Sequence, residues 1–170
     1  MKQKTKKIRM IKMGLDITAY RKLKVVEEPK FDEYGDLVEW DTQWKPGGSM
    51  EWSEEHFPGQ GEGVDPQKVY TWEEAFGFRA GSYSGYNWWR AKLELFAEGE
   101  DFRELINFAD NEGVIGPVVS KKLAKDFEKN KEKAQEFSKT LDDGEWWFGQ
   151  YKRWQEAFEM AADNGAVDFH

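Results

Sequence analysis

The chain contains no cysteine. Disulfides and thiolate metal sites are therefore excluded, and the composition fits a reducing cytoplasm. Histidine is almost as scarce: His56 sits beside acids in a Gly/Pro-punctuated stretch, and His170 is the last residue. A Ser-His-Asp triad has little to build on. No apolar run approaches the roughly 20 residues of a membrane-spanning helix. Residues 1–12 are basic but lack the apolar stretch of a signal peptide. Neither membrane insertion nor any cofactor is expected.

Positive charge is also scarce outside the first residues. Six of the 25 bases lie in residues 1–12, where there is no acid, so the rest of the chain sets 19 bases against 33 acids. Broad binding of a nucleic-acid backbone by the body is disfavoured, because it needs an excess of Lys and Arg. Residues 27–65 hold twelve acids and only Lys30 and Lys45 as bases. Such a surface either keeps the protein soluble or binds a basic partner, in the extreme by imitating nucleic acid.

What the chain does have is rings: nine Trp, twelve Phe and six Tyr in 170 residues. That is enough apolar surface for one domain with a real core. Exposed tryptophans would also allow self-association into a homo-oligomer. The organisation read from pattern is a basic leader over residues 1–12, then one domain over 13–170. A long acidic loop is expected at about 43–67.

Leu15, Ile17 and Ala19 alternate with Asp16, Thr18 and Tyr20, which is strand period. Leu23, Val25 and Val26 extend that strand or begin a neighbour, and residues 37–40 read as a return strand after the turn at Tyr34-Gly35-Asp36. Residues 69–72 and 76–78 are further strands. Helices are expected over 86–97, with Ser84 or Gly85 as cap, over 102–109, and from Pro117 to 127. A charged segment spans 130–139. The clearest helix starts at Asp142 or Asp143 and repeats Trp147, Tyr151, Trp154, Phe158 and Ala161 along one face. Residues 166–170 close as a terminal edge strand. Strands first and helices later predict an α+β fold: a small antiparallel sheet with three to five helices on one face.

Two Gly-rich turns are the best places for chemistry. The first, residues 79–90, offers Arg79 and Arg90 as cations, Ser82, Ser84 and Asn87 as hydrogen-bonding groups, and Tyr83 and Tyr86 as stacking surfaces. A helix starting near Tyr86 would add N–H groups facing an anion. The second turn contributes Asp110 and Glu112, which could pair with the arginines, share acid–base work or hold a metal. The plain alternatives are a capped strand-to-helix turn with Trp88 and Trp89 in the core, and an acid that merely ends a helix. Gly59-Gln60-Gly61-Glu62-Gly63 fails as a phosphate loop, since Glu62 would repel phosphate.

Three runs read together: Met13-Gly14-Leu15-Asp16-Ile17, residues 82–90 (SYSGYNWWR) and residues 108–117 (FADNEGVIGP). With these the chain resembles a group of small uncharacterised proteins of phages and bacterial genomes, often found beside mobile elements. The likeness spans most of residues 13–170 and leaves 1–12 outside. It implies a phage or prophage accessory role in the host cytoplasm and transfers no catalytic residue. The expected function is non-enzymatic: holding a small anionic, nucleotide-like ligand at Arg79, Ser82, Tyr83, Ser84, Tyr86, Asn87, Arg90, Asp110 and Glu112, and so blunting a host defence signal. The alternatives are an acidic inhibitor of a basic host protein and a carboxylate- or metal-dependent hydrolase.

Overall fold

The structure, a computed structural model, describes residues 14–170. The expected leader at 1–12 lies outside them. The fold is α+β, as the order of elements predicts. Its main sheet has four antiparallel strands in the order β4(Glu74–Gly81), β1(Leu15–Arg21), β6(Ala166–Phe169), β5(Gly113–Ile115). A two-stranded ribbon pairs β2(Lys24–Val25) with β3(Tyr70–Thr71).

Alternation along β1 splits the sheet into two faces. Leu15, Ile17 and Ala19 point into the larger core with Val167, Phe169 and Ile115. There they meet the helices α2(Tyr83–Ala91), α4(Pro117–Lys129), α5(Lys131–Ser138) and α6(Gly144–Ala161), with a short α3(Arg103–Ile106) at the side. This core is rich in aromatic rings. The rings of Tyr86 and Trp89 stack on Trp154 at 5.5 and 5.7 Å. Trp89 and Trp147 each donate the indole N–H to the other's backbone carbonyl, at 3.0 and 3.2 Å. These two indoles thus keep their one polar group satisfied, whereas Trp154 Nε1, at the middle of the stack, is buried without a partner among the described residues. Each such ring removes about 150–250 Å² from water.

The sequence pattern differs from the structure in instructive places. Residues 37–40 are not a return strand. They belong to a ribbon tip in which only Phe31 and Leu37 pair, and β4 takes the place beside β1 instead. The expected loop contains α1(Gly47–His56). Only Met50 and Ser53 of that helix are buried, so no apolar stripe announces it. The terminal strand is not an edge: β6 lies between β1 and β5, in the middle of the sheet. β5 itself is only three residues long and hides between two turns.

The second face of the sheet is also covered, though only in part. Tyr20, Val114 and Ala166 on the sheet pack with Trp44, Met50 and Tyr70. Helices are therefore not confined to one face, because α1 lies against β5 on the other side. Among the described residues, no helix is long and apolar enough to cross a membrane.

Candidate functional site

The half-covered second face of the sheet leaves a polar corner. Counting along β1, Asp16 and Thr18 lie on the same face as Tyr20. The antiparallel register puts Arg79 of β4 beside Asp16, and Asp168 of β6 beside Thr18. His170 continues β6 beyond its last residue, exchanging backbone hydrogen bonds with Asp16 at 2.8 and 3.0 Å. Its ring Nε2 lies 2.9 Å from Thr18 Oγ1. Arg79 reaches across to Asp16 at 3.0 Å.

Aromatic packing covers the other end of this face. The Tyr20 ring lies 4.8 Å from both Trp44 and Trp72. Trp44 is fixed by backbone pairing with Tyr70, at 2.8 Å in both directions. Between this lid and the polar corner lies a cleft of about 700 Å³. Its walls are Trp44, Lys45 and Pro46 from the approach to α1, Ser49 from the first turn of α1, Tyr83 from α2, Asn111 and Glu112 from the turn before β5, Asp168 and Phe169 from β6, and His170 just beyond it.

The electrostatics of the cleft centre on Asp168. Burial pushes its carboxyl up to about 7, while the polar edge of the Trp44 side chain favours the charged form and draws it down. Burial, with the Asp168 charge nearby, also raises the Tyr20 hydroxyl. Near neutral pH the cleft thus presents one carboxyl that exchanges its proton, beside Glu112, His170 and Lys45.

Two of the nine residues singled out from the sequence line this cleft: Tyr83, 41% exposed, and Glu112. The others have different duties. Ser82 is the N-cap of α2, its Oγ accepting from Gly85 N at 3.0 Å, and Ser84 Oγ leans on it at 3.3 Å. Tyr86 is wholly buried in the stack with Trp89 and Trp154. Arg90 lies over the Tyr86 ring at 4.9 Å and donates to the carbonyls of Leu105 and Phe108 at 3.2 and 2.6 Å. Asn87 donates to Asp110 at 2.7 Å.

The two turns do meet, but through Asn87 and Asp110, and the contact is internal. The pair of guanidinium groups does not open onto a shared hollow. Arg90 faces the backbone of α3 and the turn after it, while Arg79 lies across the sheet on Asp16. Residues 59–63 wrap around a carboxylate instead of a phosphate: Gly59 N and Gly61 N donate to Glu54 at 3.1 and 2.5 Å.

Trp44, Lys45, Ser49, Asn111, Asp168 and His170 do not stand out as ligand-binding residues in the local sequence. The alternation Val167-Asp168-Phe169-His170 was the available signal. It places two ionisable side chains on one face of a strand whose other face is core. Among the described residues, no three His, Cys, Asp or Glu side chains gather closely enough to hold a metal ion. Compared with family models, curated proteins and solved structures, the chain matches none.

Proposed function

We propose that the protein binds a small, ring-bearing, nucleotide-like molecule in the cleft between Trp44, Tyr83 and the end of β6. The observation that carries this reading is the cleft itself. Its volume of about 700 Å³ suits a small-molecule site, which typically spans about 300–1,000 Å³. Its walls combine aromatic rings with a few converging polar groups. Tyr83 offers a stacking face. Glu112, Asp168, Asn111 and Ser49 suit the donor and acceptor edge of a heterocycle. Lys45 supplies the positive charge that an anionic group would need, a duty the sequence pattern gave to Arg79 and Arg90, and the His170 ring offers a further hydrogen-bonding group. A role in sequestering a host defence signal rests on the phage-protein resemblance alone.

A second reading has one observation in its favour. A carboxyl that exchanges its proton near neutral pH, beside a second carboxylate, is the equipment of a general acid–base hydrolase. Binding with turnover would select this reading, and binding without turnover the first.

The test is thermal shift and calorimetry with nucleosides and their monophosphates, on the parent and on Tyr83→Ala. Saturable stabilisation that Tyr83→Ala weakens by about tenfold is expected. Monophosphates are expected to bind more tightly than nucleosides. No stabilisation by any of these compounds would overturn the reading.

A further inference from the structure

Residues 27–43 form a ribbon that the rest of the fold leaves uncovered, and its order is built in. Asp32 Oδ1 accepts from Tyr34 N and Asp36 N, both at 2.9 Å, while Val38 N donates to Lys30 O at 3.0 Å. Gln43 then closes the next turn on Glu39 at 2.9 Å. Despite this order, large apolar side chains face water. Tyr34 is 81% exposed, Trp40 76%, Val38 52% and Phe31 43%.

Single exposed apolar residues are ordinary. Four within one short ribbon are not, especially when interleaved with charge. Residues 27–43 carry seven carboxylates and one lysine. Among the described residues, none of the seven has a Lys or Arg partner within ion-pair distance. Carboxylates elsewhere, such as Asp101, Glu104 and Asp126, do have such partners.

We propose that this ribbon docks on a basic protein surface, with Tyr34 and Trp40 as its anchors. Aromatic residues of this kind dominate binding energy when they enter pockets. The surrounding carboxylates would steer the encounter and reject acidic competitors. The same charge repels nucleic-acid backbones and anionic lipid, which leaves a cationic protein with apolar pockets as the complementary partner. The ribbon adjoins one wall of the cleft, where the Lys45 ammonium lies 5.3 Å from the centre of the Phe31 ring. Its anchors Tyr34 and Trp40 line no part of the cleft, so the two proposals are tested by different residues.

The experiment uses the full chain and a synthetic amphipathic peptide of alternating arginine and leucine, followed by fluorescence anisotropy at low and high salt. The variants are Tyr34→Ala/Trp40→Ala and, as a control at another exposed indole, Trp146→Ala. Melting curves confirm that all are folded. The parent and Trp146→Ala are expected to bind, and the double variant to bind at least about tenfold more weakly. Affinity is expected to fall with added salt. Equal binding by the double variant overturns the proposal, as does no binding or equal affinity for a polylysine without leucine. A salt-dependent dimer in ultracentrifugation, lost in the same double variant, would also overturn it by making a second copy the occupant.

Discussion

Trp44 and Asp168 share one wall of the cleft, joining the approach to α1 to the strand in the middle of the sheet. The pair sits where the covered part of the second face gives way to the open cleft. Asp168 stands half-buried at that boundary. Desolvation keeps the proton on its carboxyl longer than usual, and the Trp44 side chain offsets this in part.

That desolvation gives a pH dependence. The Asp168 carboxyl lies at about 7 in the fold, above its value of 3.8 in an open chain. A raised carboxyl contributes stability that is fully present below the unfolded value and lost as pH rises through the folded one. Asp168→Asn keeps the shape of the side chain but never charges. Its melting temperature is expected to exceed the parent's by a few degrees at about pH 8, and to show no advantage at about pH 4. Calorimetry at the two pH values checks this. The parent being the more stable at the higher pH contradicts it.

Arg90 is expected to behave as a structural residue. Its guanidinium serves two backbone carbonyls and covers a buried ring. Arg90→Ala should cost about 2–3 kcal/mol in urea unfolding, since a charge-assisted bond is lost and two carbonyls are left wanting. Affinity for a nucleoside monophosphate, measured on the folded variant, should stay within about twofold of the parent. A large loss of affinity at unchanged stability would return Arg90 to the binding site.

Gly113 is expected to tolerate no side chain. Its φ is +136°, and a Cβ there would lie 2.6 Å from Ser53 Cβ and 2.9 Å from Phe108 Cζ. Gly113→Ala should destabilise by about 2–4 kcal/mol through strain and crowding. It would also push Ser53 Oγ from Val114 N, which it now accepts from at 3.3 Å. Equilibrium unfolding measures the cost, and a change within about 0.5 kcal/mol would contradict the packing described.

Asp126 should matter more than its place on a charged helix suggests. Its carboxylate accepts from Phe102 N at 3.1 Å, where Phe102 is wholly buried with φ +61°. Asp126→Ala leaves that N–H without its partner and is expected to cost about 1–3 kcal/mol in the same measurement. Lys122→Ala spares the N–H bond but removes the 2.7 Å ion pair with Asp126 together with the contacts of Lys122 to Glu104 and Glu100 O.

Much of the fold was legible because period and packing agree. The β1 alternation and the α6 ring stripe are strong signals, and both elements form where expected. Elements made by long-range contacts were not legible. β5 gains its identity only by pairing with β6, and α1 buries just Met50 and Ser53. The candidate site was legible only in small part for the same reason. Tyr83 and Glu112 carry turn chemistry that local sequence displays. Asp168 and His170 look like an ordinary strand end until the sheet order brings them beside Glu112 and under Trp44. In the sequence, a guanidinium near a Gly-rich turn looks the same whether it binds an anion or, as Arg90 does, backbone carbonyls.

The most direct measurement is an amide NMR titration of the full chain with adenosine monophosphate, repeated with the other nucleoside monophosphates. The account predicts saturable shifts gathered at Tyr83, Asn111, Glu112, Asp168 and His170, with Arg90 and the Leu105–Phe108 backbone unmoved. Shifts centred on Arg90, or on the depression near Ser138 and Phe148, would contradict it, as would spectra that none of these compounds changes.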